Sequence, residues 1–80
     1  MPLPAPTNES PAKDYAAVTP SDSVDIQRFR GLWVGVEGDV ALVSVSGSVV
    51  TFKNVVGLLD AGGVRVNDTN TTATDIVALY

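Results

Sequence analysis

Glu37 and Asp39 flank Gly38, and two carboxylates so close in sequence are the raw material of general acid–base chemistry. That chemistry needs a desolvated pocket to set the two groups apart, and so short a chain has little room for one. Gly38-Asp39 reads instead as a hairpin tip, where carboxylates are simply solvated. A second oxygen-rich set, Asn67-Asp68-Thr69-Asn70 with Asp75, has the ligand chemistry of a hard cation such as calcium. Its spacing departs from an EF-hand loop, which needs Gly at its sixth position and Glu at its twelfth, leaving a weak surface ion at most. Gly35-Val36-Glu37-Gly38 fails as a phosphate loop, because no helix follows to present its N-terminus. Arg28-Phe29-Arg30 is the one local basic cluster, and arginines around an aromatic ring are the composition of a protein interface. The glycosylation sequons at Asn8, Asn67 and Asn70 read as chance matches in the absence of a secretion signal.

What the chain lacks is equally informative. It has no His and no Cys in 80 residues, which removes the Ser-His-Asp triad, thiol nucleophiles, disulfides and the usual zinc ligands. Most enzyme classes fall away, and neither a catalytic residue, a metal nor a cofactor is expected. Nine acidic residues against five basic ones give a net charge of −4, the wrong balance for a nucleic-acid partner. No apolar run approaches the ~20 residues of a membrane helix, so no membrane partner is expected either.

The elements that must position these residues divide the chain in two. All five prolines (Pro2, Pro4, Pro6, Pro11 and Pro20) fall in its first quarter, and their alternation over Met1–Pro6 favours an extended, polyproline-like path. Residues 1–14 are read as an extended arm suited to ordering on a partner surface, and 15–80 as a single small domain. That domain is rich in valine, twelve of the fourteen falling after Phe29, and β-branched side chains fit a pleated surface. Turn signals at Gly38-Asp39, Ser46-Gly47, Gly57, Gly62-Gly63 and Asn67-Asp68 cut it into short strands. The fold class is therefore all-β, a small antiparallel β-sandwich or barrel-like domain. Strands are expected over Ala16–Thr19, Leu32–Glu37, Val40–Val45, Val49–Asn54, Val64–Asn67 and Asp75–Tyr80, with room for one helical turn in Asp22–Arg30. In the last strand, Ile76, Ala78 and Tyr80 should face one layer and Val77 and Leu79 the other.

A domain this small, with no staple, is expected to gain buried area by self-association. Val40 and Leu42 oppose Ala41, Val43 and Val45 on one strand, and two apolar faces are hard to hide within a single small chain. Trp33, the one tryptophan, reads first as a core residue and second as an interface one. The candidate interface is Arg28, Phe29, Arg30, Trp33, Ala41, Val43 and Val45.

Taken in order, Thr19-Pro20-Ser21-Asp22, Arg30-Gly31-Leu32-Trp33-Val34-Gly35, Gly38-Asp39-Val40, Val49-Val50-Thr51-Phe52, Val55, Gly57 and the closing Thr71–Tyr80 form a pattern. This succession resembles the head spike base family of gene transfer agents and related tailed phages, over roughly residues 15–80. The resemblance implies a structural virion protein on the outer capsid surface at the fivefold vertices. It would form a cyclic homopentamer that attaches a spike or fibre protein to the major capsid protein. One segment departs from the family pattern: Leu58-Leu59-Asp60-Ala61-Gly62-Gly63 stands where a more hydrophobic, proline-bearing link is expected. A capsid decoration protein at other symmetry positions is the alternative, and a carbohydrate- or receptor-binding β-module comes after it.

Overall fold

Five strands make up a single antiparallel sheet in the computed structural model, which describes residues 12–80. They are β1 (Tyr15–Ala17), β2 (Gly31–Val43), β3 (Val49–Leu59), β4 (Arg65–Val66) and β5 (Thr74–Leu79). The order across the sheet is β1-β5-β2-β3, with β4 pairing β2 beyond the end of β5. The all-β reading holds, and the described residues contain no helix. Most of the expected proline-rich arm, residues 1–11, lies outside the described residues.

β2 is the spine, and it corrects the expected turn at Gly38-Asp39. The chain does not reverse there but runs straight through, so two expected strands are one strand of 13 residues. Gly38 serves a close approach rather than a turn. A Cβ at this position would lie 2.6 Å from Ala73 Cα and 2.7 Å from the Thr72 carbonyl carbon. The reversal comes later, at Ser44–Ser48, where Ser44 N–H donates to Ser48 O and Gly47 takes a φ of 93°. Glycine meets that demand without strain. β3 then extends past its expected end at Asn54 to Leu59, because two irregularities in its register with β2 absorb the positive φ of Asn54 and Gly57.

The core forms on one face of this sheet. Leu32, Val34, Val40 and Leu42 of β2 join Val66, Ala73, Ile76 and Ala78, and Phe29 closes over them. The segment leading into β2 supplies the cover. Val18 N–H donates to Ile76 O, Ser21 N–H to Val66 O and Ile26 N–H to Val64 O, and Phe29 and Gly63 exchange both of their backbone bonds. Asp22–Arg30 is thus extended and not helical. The Ser21 hydroxyl does accept the N–H groups of Ser23 and Val24, as a cap would, but the residues beyond are committed to these pairings. The segment from Leu58 to Gly63 completes β3 and then meets Phe29.

β5 lies between β1 and β2, paired on both sides. Its Ile76 and Ala78 are buried in the core with Tyr80 packed against it, while Val77 and Leu79 face the other way. Lys13 N–H donates to Tyr80 O and Tyr80 N–H to Asp14 O, which continues the β1–β5 ladder past both strand ends.

Candidate functional site

Register decides what the second face of the sheet presents. Ala17 pairs Val77, Val77 pairs Trp33 and Trp33 pairs Leu58, so four strands place one unbroken apolar row across that face. Tyr15, opposite Leu79, begins a neighbouring row. Val55 and Leu59 pack on the core from β3 and Gly57 sits opposite Val34, so alternation sends Val56 and Leu58 outward. The row is open to solvent: Trp33 is 51% exposed and Leu58 62%, with Tyr15 and Val56 exposed as well. A large indole normally sits in a core, and an exposed one at the centre of a charge-free row marks a surface that gains from being covered.

Of the expected interface residues, Trp33 lies in this row. Arg28, Phe29, Arg30 and Val45 come together elsewhere, around an open groove of about 840 Å³ that Asp60 and Tyr80 also line. Arg28, Arg30 and Val45 are exposed there, but the Phe29 side chain turns into the core and is 2% exposed. Ala41 and Val43 are interior too, at 1% and 5%. Their face of β2, expected to need a neighbour, is closed by the chain itself. Val43 lies in register between Val49 and Arg65, and Ala41 lies opposite Thr51, and both are buried within the single chain. The sequence reading missed Leu58, Val56 and Tyr15. Continuing the alternation of β3 beyond Asn54 would have put Val56 and Leu58 on one face.

The polar residues that suggested chemistry have structural work. Asp39 stands inside β2 and not at a tip. Its carboxylate accepts Asn54 N–H at 3.1 Å and the Lys53 ammonium at 3.1 Å, which fastens the β3 irregularity to β2. These two donors, the backbone one foremost, hold the Asp39 carboxyl below the usual aspartate range. Asp22 is lowered likewise, first by the Thr69 hydroxyl and then by the Thr69 N–H, with bonds of 2.7 Å and 2.8 Å. Arg65 donates to Asn67 Oδ1 and pairs with Asp25. Of the oxygens read as a possible cation site, those of Asn67 and Thr69 serve these bonds, and no group of three or more His, Cys, Asp or Glu side chains that could hold a metal gathers among the described residues.

The threonines before β5 fill a gap in the sheet. Between β5 and β4 the edge of β2 faces a loop instead of a strand. There the hydroxyls of Thr71 and Thr72 accept the N–H groups of Ala41 and Asp39 at 2.9 Å and 2.8 Å, while Asp39 O accepts from Thr72 and Ala73. Side-chain oxygens stand where ladder carbonyls would be.

Fold and site define a small all-β protein whose distinguishing feature is an open apolar sheet face. No protein-family model matches the chain, and no curated protein matches it. Among solved structures it is similar to a chain in the capsid of a native gene transfer agent (GTA) particle computed with C5 symmetry. The two share 40% identity over 95% of this chain and 92% of that one, with a TM-score of 0.84. The chain belongs to the family of that capsid-particle protein.

Proposed function

We propose that this protein is a structural component of a gene transfer agent or related phage particle, the base of a head spike or fibre. In this role it sits on the outer capsid surface at the fivefold vertices and joins the spike or fibre protein to the major capsid protein. The observation that carries the proposal is the open row of Ala17, Val77, Trp33 and Leu58 on a chain akin to a capsid-particle protein. An attachment part needs rigid surfaces and no reacting groups, and an uncovered apolar sheet face is such a surface. The C5 symmetry with which the related capsid was computed is compatible with a ring of five at a vertex. Five subunits close through one repeated head-to-tail contact, which asks each to present two different patches.

Particles assembled without this chain test the role. The expected result is filled heads of normal size that lack the vertex projections. Projections retained in its absence would overturn the proposal, and so would a failure of heads to close, which would mark a shell component instead.

A further inference from the structure

Among the described residues β1 ends the sheet, with β5 on one side of it and no strand on the other. Backbone bonds fix which of its groups point each way. Asp14 O accepts Tyr80 N–H, and Val18 N–H donates to Ile76 O, so residues 14, 16 and 18 turn their backbone groups toward β5. Alternation turns those of Tyr15 and Ala17 outward. The Tyr15 N–H finds a local acceptor there, the exposed Asp14 carboxylate at 2.9 Å. A row of outward donors and acceptors is a template for one more strand.

The sequence ahead of this edge carries a matching pattern. Pro2, Pro4 and Pro6 take every even position from 2 to 6. An extended chain points successive N–H groups to opposite sides, so prolines at every second position remove the donors of one side and spare the other. Leu3, Ala5 and Thr7 keep theirs, all on the same side. Such a segment can pair along one edge and offers no donor to a further strand, which is where sheets tolerate proline. We infer that residues 2–7 add one strand to the sheet of their own chain, antiparallel to β1, with Ala5 opposite Tyr15 and Leu3 opposite Ala17.

Three features select this occupant. The described chain begins at Ala12, beside that edge, so residues 2–7 are tethered to it at high effective concentration. Asn8, Ser10 and Pro11, within the connecting residues 6–14, supply turn chemistry for the reversal. The register also agrees, since the outward groups of β1 and the surviving donors both fall on odd-numbered residues, as this pairing requires. Directly opposite residues share a face, so Leu3 lengthens the Ala17–Val77–Trp33–Leu58 row, and the prolines close the edge to edge-on pairing. The inference goes beyond the vertex reading and does not depend on it.

Hydrogen exchange of the full-length chain, read by NMR, tests the pairing with the Ala17 amide as reporter. Its exchange should be at least about tenfold slower than in a variant carrying Leu3→Pro with Ala5→Pro, which lacks the pairing donors. A variant carrying Pro2→Ala with Pro4→Ala changes only the outward side and should keep the parent's protection. The Trp33 and Val77 amides, inside the sheet, report that all three chains fold alike. An Ala17 amide that exchanges in the parent as fast as an unbonded one would overturn the inference. So would protection that survives Leu3→Pro with Ala5→Pro, or that is lost equally in Pro2→Ala with Pro4→Ala. Because the chain has no cysteine, Leu3→Cys with Ala17→Cys, mildly oxidised, separates the chain's own segment from that of a second copy. The expected product is a link within one chain, monomeric on a denaturing gel. Covalent multimers would put the segment on another copy's edge, and no link at all would leave the edge unoccupied; either result overturns the inference.

Discussion

Replacing Thr71 by valine removes one oxygen and keeps the shape. The side chain remains β-branched, so its conformational preferences are conserved. What disappears is the acceptor of Ala41 N–H, a bond of 2.9 Å at a residue only 1% exposed. A buried donor left without a partner costs about 1–3 kcal/mol. That is a large fraction of the roughly 4–12 kcal/mol that a domain of 80 residues has. Thr72→Val is the matched control. It removes the acceptor of Asp39 N–H, also a short bond but an exposed one, where water can substitute, so a loss of about 0.5–1 kcal/mol is expected. Urea unfolding followed by the fluorescence of Trp33 gives both values, at one fixed protein concentration because association would raise apparent stability. Thr71→Ser, which restores the hydroxyl, should recover most of the loss. The reasoning is refuted if Thr71→Val falls within about 0.5 kcal/mol of the parent, the range of an ordinary surface change, or if Thr72→Val costs more.

Other perturbations follow from the same structure. Gly38→Ala drives a Cβ into the Thr72–Ala73 backbone, which cannot yield as a flexible side chain would. A loss of at least about 1–3 kcal/mol is expected in the same urea assay, where a tolerated alanine would show that the loop sits further off. Asp22 and Asp39 have lowered folded pKa values. Their contributions are complete above the ordinary aspartate value of 3.8 and are lost as pH falls through the lower folded values. Asp22→Asn and Asp39→Asn should each flatten that acid limb of a thermal-stability profile and leave its alkaline side unchanged. A chain ending at Ala78 loses the backbone bonds that tie Leu79 to Arg30 and Tyr80 to Lys13 and Asp14. With two half-buried side chains also gone, its unfolding free energy should fall by about 2–4 kcal/mol, and parent-like stability would show that the end of β5 is dispensable.

Strand content was legible wherever alternation met a buried face. β5 is the clearest case: Ile76 and Ala78 face the core and Val77 and Leu79 the other side, as the residue order implies. Gly38-Asp39 misled because glycine has two uses, and a sequence does not separate a turn from a close approach. Here the backbone of residues 72–73 explains the glycine, and it lies more than thirty positions away. Phe29 reads as an interface residue because two arginines flank it, and Ala41 and Val43 because of a count of apolar faces. That count overlooked that β2 is paired on both sides at Val43, by Val49 and Arg65, so that the chain buries this stretch by itself. The open row was partly visible, through Trp33. Leu58 was hidden because two positive-φ residues, Asn54 and Gly57, interrupt β3 and make the last part of the strand read as a link. The threonine hydroxyls that complete the β2 edge leave no periodic trace, since their partners are set by tertiary register alone.

A reconstruction of the assembled particle, refined without imposed symmetry, tests the placement of this protein most directly. The account predicts density that fits residues 12–80 as rings of five at the fivefold vertices, on the outer capsid surface and beneath the projecting spike or fibre. Density for this chain at threefold or hexameric positions, or on the inner capsid surface, would contradict it.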